Sequence, residues 1–356
     1  MRNKKNYVDL KNRIKQLLEI AKIKNKKTAF FISNTKKIEK VDYYLTPLRE
    51  AKNYLHTGVV LFSNKMAKDI CKMIDGKVST IFVDTEKKSS SLKGMVNVEK
   101  AIKENTYKSN LRFYKANDLT VNAAEDFLNI FFKDDIRNIS GKKILIIGAG
   151  NIGFKLGLKL VERGSEVFLN RRNTIKLKKV CETINIIKPK GTFAKAKPIK
   201  SFHNILNKFD IIFCASNNQN VISFDKILKL KKNVLIIDVG KGMFSQKMLE
   251  LLFSKNIKVY RLNVELTLNM LVDSSNTFFK YISNMSYEIN KINDYTFISN
   301  GILGRKGDII TDNPKMPKII YGICNGKGDF LRLDTKLKKN YEKKISMLTK
   351  RKLKFY

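Results

Sequence analysis

The amino-acid sequence predicts an α/β protein: a small N-terminal α/β domain, a second domain with a doubly wound parallel sheet, and a C-terminal extension of a helix and β-hairpins. Short apolar segments of strand length alternate with segments whose apolar residues recur at helical spacing, which is typical of parallel sheets. One strand segment, at 144–147, leads directly into a glycine-rich loop and a helical segment. A chain of 356 residues is also too long for one ordinary core, so two domains are the starting expectation.

The first domain is predicted over residues 1–118. It opens with an amphipathic helical segment within 7–24. Four strand segments follow at 28–33, 58–63, 78–84 and 111–115, with helical spacing at 65–74 and 96–104 between them. The functional loops of such a parallel sheet are expected at the carboxyl ends of its strands.

The second domain is predicted over residues 119–267. Residues 119–138 are expected to hold the linking helix, whose apolar pattern spans 119–133 and for which Asp118 is available as the N-cap. Strand segments follow at 144–147, 166–169, 210–215, 234–238 and 258–262. This series indicates a doubly wound parallel sheet.

A glycine-rich loop separates the first strand of this series from a helical segment at 154–162. The loop is Gly148-Ala149-Gly150-Asn151-Ile152-Gly153. Gly148 permits a tight turn, Gly150 leaves room for a pyrophosphate, and Gly153 lets the helix lie close to the strand. The helix N-terminus offers amide protons to phosphate. This context predicts a dinucleotide-binding Rossmann domain, with Asn151 and Ile152 also among the cofactor contacts.

The residues after the second strand predict which dinucleotide is bound. An NAD enzyme usually has Asp or Glu there, bonded to the ribose hydroxyls. This chain has Asn170, Arg171 and Arg172 instead. A carboxylate would repel a 2′-phosphate, whereas guanidinium groups pair with it through charge-assisted hydrogen bonds. NADP is therefore the expected cofactor.

Two further loops at the same sheet edge are expected to contact the nicotinamide end. Ser216 and Asn217 follow the strand at 210–215, where they would lie along the nicotinamide ribose. Gly240 follows the strand at 234–238 and permits close approach of the nicotinamide. For the neighbouring Lys241, a substrate-facing and a solvated side chain are both open.

These segments resemble the two-domain shikimate dehydrogenase-like group, which belongs with the amino-acid dehydrogenases. The resembling residues are GAGNIG at 148–153, NRR at 170–172, FDIIFCAS at 209–216 and LIIDVGKG at 235–242. The resemblance implies an N-terminal substrate domain and a lysine–aspartate pair that acts on a substrate hydroxyl. On this sequence it implies Lys65 and Asp118 for that pair. The family's Ser-x-Ser-Pro substrate motif is absent, which leaves the substrate open.

The functional hypothesis is an NADP-dependent oxidoreductase that acts on a small polar hydroxy or keto substrate between the two domains. A non-catalytic NADP(H)-binding regulator or assembly protein is the alternative. The architecture also resembles glutamyl-tRNA reductase, which would need an N-terminal cysteine nucleophile. Cys71 is the one available, and it stands inside a helical apolar pattern without the flanking motif.

Composition narrows the classes of partner. The net charge is +39, yet the basic residues are spread along the chain, and no RNA-binding or helix-turn-helix motif accompanies them. A small-molecule substrate is therefore expected rather than nucleic acid. No apolar run approaches the ~20 residues of a membrane helix, and no signal-peptide core follows the charged N-terminus, so we expect no membrane partner and a cytoplasmic protein.

The cysteines predict neither a metal site nor a disulfide. They are scattered along the chain and accompany only two histidines. Cys214 lies in an apolar stretch, where a small buried hydrophobe is the expected role.

The extension is predicted over residues 268–356. A helical pattern at 268–289 precedes a segment at 297–334 that is rich in Gly and β-branched residues and indicates hairpins or an extended arm. Such an arm is long enough to be exchanged in a homodimer, although none of its residues requires it. The glycines at 322–328 are interpreted as a turn rather than a phosphate loop. The tail at 336–356 is interpreted as a solvated basic helix, and it is the best place for nucleic acid if any is bound.

Overall fold

The computed structural model describes residues 6–34, 43–61, 64–86, 98–216, 222–240, 242–284 and 289–355. The chain divides into two compact units, Met1–Val272 and Asp273–Tyr356. The α/β prediction is confirmed: the first unit holds two sheets built mainly from parallel strands, and the second holds a mixed sheet. Within the described residues, no helix has the length and apolar character needed to cross a membrane.

The N-terminal sheet contains six strands. Its elements are α1 (Asn6–Ile23), β1 (Lys27–Asn34), β2 (Tyr43–Leu45), β3 (Arg49–Glu50), β4 (Tyr54–Leu61), α2 (Asn64–Ile74), β5 (Thr80–Asp84), α3 (Val98–Lys103) and β6 (Asn110–Tyr114). The strand order is β2-β4-β1-β5-β6, and β3 also pairs with β4. Strands β4, β1, β5 and β6 are parallel, whereas β2 and β3 run antiparallel to β4. The carboxyl ends of the four parallel strands therefore lie at one edge.

The second sheet follows in the same unit, and its last helix, Glu265–Asn284, continues past Val272 into the second unit. Its elements are α4 (Ala116–Phe131), β7 (Lys143–Ile147), α5 (Asn151–Glu162), β8 (Glu166–Asn170), α6 (Thr174–Ile187), β9 (Ala196–Pro198), β10 (Ile211–Cys214), α7 (Phe224–Ile227), β11 (Leu235–Asp238), α8 (Gln246–Ser254), β12 (Lys258–Arg261) and α9 (Glu265–Asn284). The six strands are parallel in the order β12-β11-β10-β7-β8-β9. The order reverses between β7 and β10, which is the topological switch point where ligands of such sheets bind.

Both sheets are covered on their two faces, which explains why their strands read as continuous apolar runs. In the N-terminal sheet, Phe30 and Ile32 face a cluster that includes Leu17 of α1. Phe31 faces the opposite side, in a cluster that includes Val272 of α9. The second sheet has separate buried clusters on its two faces as well.

The linking helix α4 corrects one prediction. It begins at Ala116 rather than at 119, so Asp118 lies in its first turn and is not its N-cap. The N-cap position is Lys115, which makes no side-chain cap. Two carboxylates at and just after the end of β5 take over this role: Asp84 Oδ1 accepts from the Ala116 amide at 3.3 Å, and Glu86 Oε2 accepts from the Asn117 amide at 2.9 Å. These bonds satisfy amides that a helix leaves unpaired at its start.

From Ile289 onward, the described residues of the second unit form a five-stranded sheet and a helix. Its elements are β13 (Ile289–Ile292), β14 (Tyr295–Ser299), β15 (Ile309–Thr311), β16 (Ile319–Ile323), α10 (Thr335–Thr349) and β17 (Lys354–Phe355). The strands stand in sequence order, with antiparallel β13–β14 and β15–β16 pairs and parallel β14–β15 and β16–β17 pairs. The basic tail thus forms α10 and a short edge strand. Ile345 of α10 is buried against Phe297 and Ile309.

The buried centre of the second sheet generates a stability prediction. Phe213 of β10 has no exposed surface, whereas Phe193 is 95% exposed. We expect Phe213→Ala to lower the free energy of unfolding by about 3–5 kcal/mol, because it leaves a cavity in the core. The matched change Phe193→Ala should alter it by no more than about 0.5 kcal/mol. Urea unfolding followed by circular dichroism measures both, and equal effects would contradict the assigned core.

Candidate dinucleotide site

The glycine-rich loop lies where the carboxyl ends of three strands approach one another. Gly148 after β7 has a φ of +110°, and a Cβ there would lie 2.6 Å from the Ala215 carbonyl oxygen after β10. At Gly240 after β11, a Cβ would lie 2.1 Å from the Ser216 carbonyl oxygen. Only glycine permits backbones to approach so closely. The loops at the switch point are therefore packed together through glycine.

The start of helix α5 is the second feature of this loop. A Cβ on Gly153 would lie 2.3 Å from the Gly148 carbonyl oxygen, so glycine is needed to bring α5 against the loop. Gly150 is the N-cap of α5 and provides no side-chain cap for the first amides. A Cβ on Gly150 would meet nothing within 4 Å. The uncapped helix start therefore faces open space, as a site for phosphate requires.

The loop is fastened to the end of β8. The Asn170 carbonyl oxygen accepts from the amides of Gly148 and Ala149 at 3.0 and 2.9 Å. The Asn170 side-chain amide donates to the carbonyl oxygens of Ile199 and Lys200 at 2.9 and 3.1 Å. The described contacts of Asn170 therefore hold the loop and the following chain in place.

The two arginines after β8 lie beside this loop. Arg171 Nη1 donates to the Ala149 carbonyl oxygen at 2.8 Å, and Arg172 is exposed. One guanidinium group is thus held against the phosphate loop, while the other is accessible to solvent. Both arginines lie at the carboxyl end of β8, where a protein of this fold contacts the 2′ group of a dinucleotide ribose.

The remaining predicted cofactor contacts are placed only in part. Ser216 is half-buried, and its backbone packs against Gly240. The Gly242 amide donates to Asp238 Oδ2 at 3.1 Å, which fixes the turn after β11. Asn217 and Lys241 lie outside the described residues.

The two residues proposed for proton transfer are not seen as a pair. Lys65 belongs to the first turn of α2, and its side chain lies outside the described residues. Asp118 forms an ion pair with Lys155 of α5 instead. Lys155 Nζ also lies 3.7 Å from Glu86 Oε1, and Asn117 Nδ2 donates to Asn151 Oδ1 at 3.2 Å. The first turn of α4 is thereby joined to the start of the phosphate-binding helix.

A polar cluster that sequence reasoning missed lies at the carboxyl edge of the N-terminal sheet. Asp84 ends β5 with 1% of its surface exposed, and its Oδ1 accepts from the Glu86 amide at 3.1 Å. Asn34 at the end of β1 donates to the Glu86 carbonyl oxygen at 2.8 Å. Burial raises the pKa of Tyr114 at the end of β6, and the Asp84 carboxylate raises it further. The signal for this cluster in the sequence was Asp84, a carboxylate at the end of the otherwise apolar strand β5.

The cysteines do not provide an activated thiol. Cys71 is fully buried in α2, and its Sγ lies 2.7 Å from Thr106 Oγ1. Burial raises the pKa of the Cys71 thiol, so the reactive thiolate is disfavoured. Cys214 is fully buried at the end of β10, which confirms the expected role as a small hydrophobe. The described residues contain no group of three or more His, Cys, Asp or Glu side chains that could hold a metal ion.

The glycine loop of the second unit is a turn. Asn325 Oδ1 accepts from the amides of Lys327 and Asp329 at 2.7 and 3.2 Å, and the Asn325 amide donates to the Asp329 carbonyl oxygen. These amides are therefore occupied and do not face a phosphate, which confirms the interpretation as a turn.

A six-stranded parallel sheet of this order, with a glycine loop and a helix start at its switch point, defines a Rossmann domain. The family model for shikimate / quinate 5-dehydrogenase matches residues 131–241. This match confirms the resemblance to the shikimate dehydrogenase-like group at a distant level over that segment.

Similar proteins include two glutamyl-tRNA reductases. The enzyme from Campylobacter jejuni is 21% identical over 165 residues, which are 43% of this chain and 37% of that enzyme. The enzyme from Thermosipho melanesiensis is 27% identical over 106 residues, 29% of this chain and 26% of the enzyme. The match thus spans less than two fifths of the length of either relative. Among solved structures, shikimate dehydrogenase from Aquifex aeolicus is 14% identical, with a TM-score of 0.40 over 68% of this chain and 88% of that one.

The open space beside Gly150 generates a prediction for binding. Its φ of −91° suits any residue, so Gly150→Ala should fold normally. The new Cβ would enter the space in which a pyrophosphate approaches α5, and we expect NADPH to bind at least about tenfold more weakly. Gly191→Ala, which also meets nothing within 4 Å, is the control. NADPH fluorescence titration measures both variants, and unchanged affinity for Gly150→Ala would contradict the assigned site.

Proposed function

We propose that this protein is an NADP(H)-dependent oxidoreductase that transfers a hydride between the nicotinamide and a small polar hydroxy or keto substrate. The observation that carries the proposal is the uncapped start of α5, held by glycine contacts at the switch point of a parallel sheet. The family-model match to a dehydrogenase over 131–241 supports it. The substrate would bind where the carboxyl edge of the N-terminal sheet meets the dinucleotide loop.

The preference for NADP rests on charge at the end of β8. Arg171 and Arg172 offer two guanidinium groups there, and this strand ends in Asn170 rather than a carboxylate. A 2′-phosphate would gain charge-assisted hydrogen bonds from the arginines, whereas NAD has only an uncharged 2′-hydroxyl at that position. Arg171 would need to exchange its bond to the Ala149 carbonyl oxygen for the phosphate, while Arg172 is already exposed.

This preference is tested by titrating the parent chain and the Arg171→Ala/Arg172→Ala variant with NADPH and NADH. The parent chain should bind NADPH at least about tenfold more tightly than NADH, and the double substitution should remove most of that difference. The chain contains no tryptophan, so nicotinamide fluorescence can be read without energy transfer from it. If the parent chain binds NADPH and NADH with equal affinity, the proposed preference for NADP is wrong.

Hydride transfer also needs a group that accepts or supplies the proton of the substrate oxygen. We propose Lys65 and Asp118 for this role, because Lys65 lies at the carboxyl edge of the N-terminal sheet and Asp118 lies in the first turn of α4, which follows the last strand of that sheet. Although Asp118 is bonded to Lys155, its side chain is 42% exposed, so the carboxylate is accessible to a substrate. Asp84 and Tyr114 lie at the same edge and would shape the polar end of the substrate site.

Turnover separates an enzyme from the non-catalytic alternative. A panel of hydroxy acids and polyols is incubated with NADP, and formation of NADPH is followed by absorbance. With an active substrate in hand, Asp118→Asn should lower kcat by at least about a hundredfold, as removal of a general acid–base does, with NADPH still bound. A kcat that stays near the parent value would exclude Asp118 from catalysis. Complete inactivity of the parent with intact NADPH binding would favour a regulator or assembly protein.

A glutamyl-tRNA reductase-type activity is the second candidate, favoured by the sequence matches to those enzymes. It would need a cysteine nucleophile in the N-terminal domain, and Cys71 is buried with a raised pKa. Cys71→Ala separates the two candidate functions. Turnover persists if the protein is the proposed oxidoreductase of hydroxy or keto substrates, and it disappears if the reaction passes through a thioester at Cys71. Circular dichroism controls for loss of the fold.

A further inference from the structure

We propose that Lys155 is a positioning residue of the dinucleotide site: it neutralises carboxylates that the N-terminal domain places beside the start of α5. The inference rests on the proposed function, because its consequence is the affinity for NADPH. It assigns a role in cofactor binding to a residue outside the glycine-rich loop.

The geometry of this junction connects the two sheets of the first unit. Lys155 lies one turn into α5, counted from Asn151. Its ammonium contacts the Asp118 carboxylate of α4 and lies 3.7 Å from Glu86 after β5. Asn117 donates to Asn151 at 3.2 Å, so the first turns of α4 and α5 lie side by side. Carboxylates of the N-terminal domain therefore stand next to the proposed phosphate site.

These carboxylates have a predictable effect on a bound phosphate. The N-terminus of a helix carries roughly half a positive charge and attracts any nearby anion. Asp118 and Glu86 bring negative charge to the end of α5 that a pyrophosphate must approach. The Lys155 ammonium offsets this charge, and the side chains of this cluster are only partly exposed, which weakens screening by salt. Without Lys155, the Asp118 carboxylate would lose this ion pair, and the dinucleotide phosphates would meet more negative charge beside the start of α5.

The same pair of helices contains a matched control. Lys159 lies one turn beyond Lys155 on α5, and its Nζ is 2.6 Å from Glu125 Oε2 of α4. The side-chain exposures are comparable, at 32% and 42% for Lys155 and Asp118 and at 38% and 23% for Lys159 and Glu125. The distal pair is about 6 Å farther along the helix axis from the glycine loop. Glu125 also lies 3.8 Å from Arg163 Nη1, so Lys159→Met removes the contact made by Lys159 and not all of the charge near Glu125. If Lys155 acted only by packing α4 on α5, Lys155→Met and Lys159→Met would weaken NADPH binding to a similar degree.

The inference predicts the signs of the changes in affinity. Lys155→Met removes the compensating charge, so we expect the Kd for NADPH to rise about tenfold. Asp118→Asn removes one of the opposing charges and should not raise the Kd. Combining both changes should recover most of the loss, whereas damage to the fold would not be relieved. Lys159→Met should keep the Kd within about twofold of the parent value, and the charge-preserving Lys155→Arg should stay close to it.

The experiment is a fluorescence titration of the full chain and these variants with NADPH at about 0.05 M and about 0.5 M salt, with thermal unfolding measured in parallel. The effect of Lys155→Met should shrink at the higher salt concentration. Equal effects of Lys155→Met and Lys159→Met, or no recovery in the double variant, would overturn the inference. If the parent chain binds NADPH and Lys155→Met binds it with the same Kd, this inference is overturned while the proposed function stands. A parent chain that does not bind NADPH would instead overturn the proposed function.

Discussion

The close approach of backbone at the switch point is the constraint on which the account depends. The loop after β7 contacts the loop after β10 at Gly148, where a Cβ would lie 2.6 Å from a carbonyl oxygen. The same loop contacts the start of α5 at Gly153, with a corresponding distance of 2.3 Å. These contacts bring an uncapped helix start to the centre of the sheet edge. The location of the proposed phosphate site therefore follows from backbone packing.

Charged side chains act around this fixed centre. On one side, Arg171 and Arg172 add positive charge at the end of β8, where a 2′-phosphate would be recognised. On the other side, the N-terminal sheet ends in Asp84 and Glu86, whose carboxylates cap the linking helix α4. Lys155 stands between this acidic edge and the phosphate site. Its contacts with Asp118 and Glu86 place a positive charge between these carboxylates and the start of α5.

The sequence predicted those features that are encoded locally. The strand, glycine loop and helix at 144–162 follow one another within about twenty residues, so their pattern is sufficient. The predicted start of α4 was wrong because the helix is capped by Asp84 and Glu86, which lie about thirty residues earlier in the chain. Strand β9 was missed because it has three residues and includes Pro198, which suits only an edge strand. The partner of Asp118 was missed because Lys155 belongs to another helix.

The central claim is that the start of α5 binds the pyrophosphate of a dinucleotide. A crystal structure of the protein with NADPH tests it most directly. We expect pyrophosphate oxygens within about 3 Å of the first-turn amides of α5, with the 2′-phosphate beside Arg171 and Arg172. An NADPH molecule bound elsewhere, or an empty loop at saturating NADPH, would contradict it.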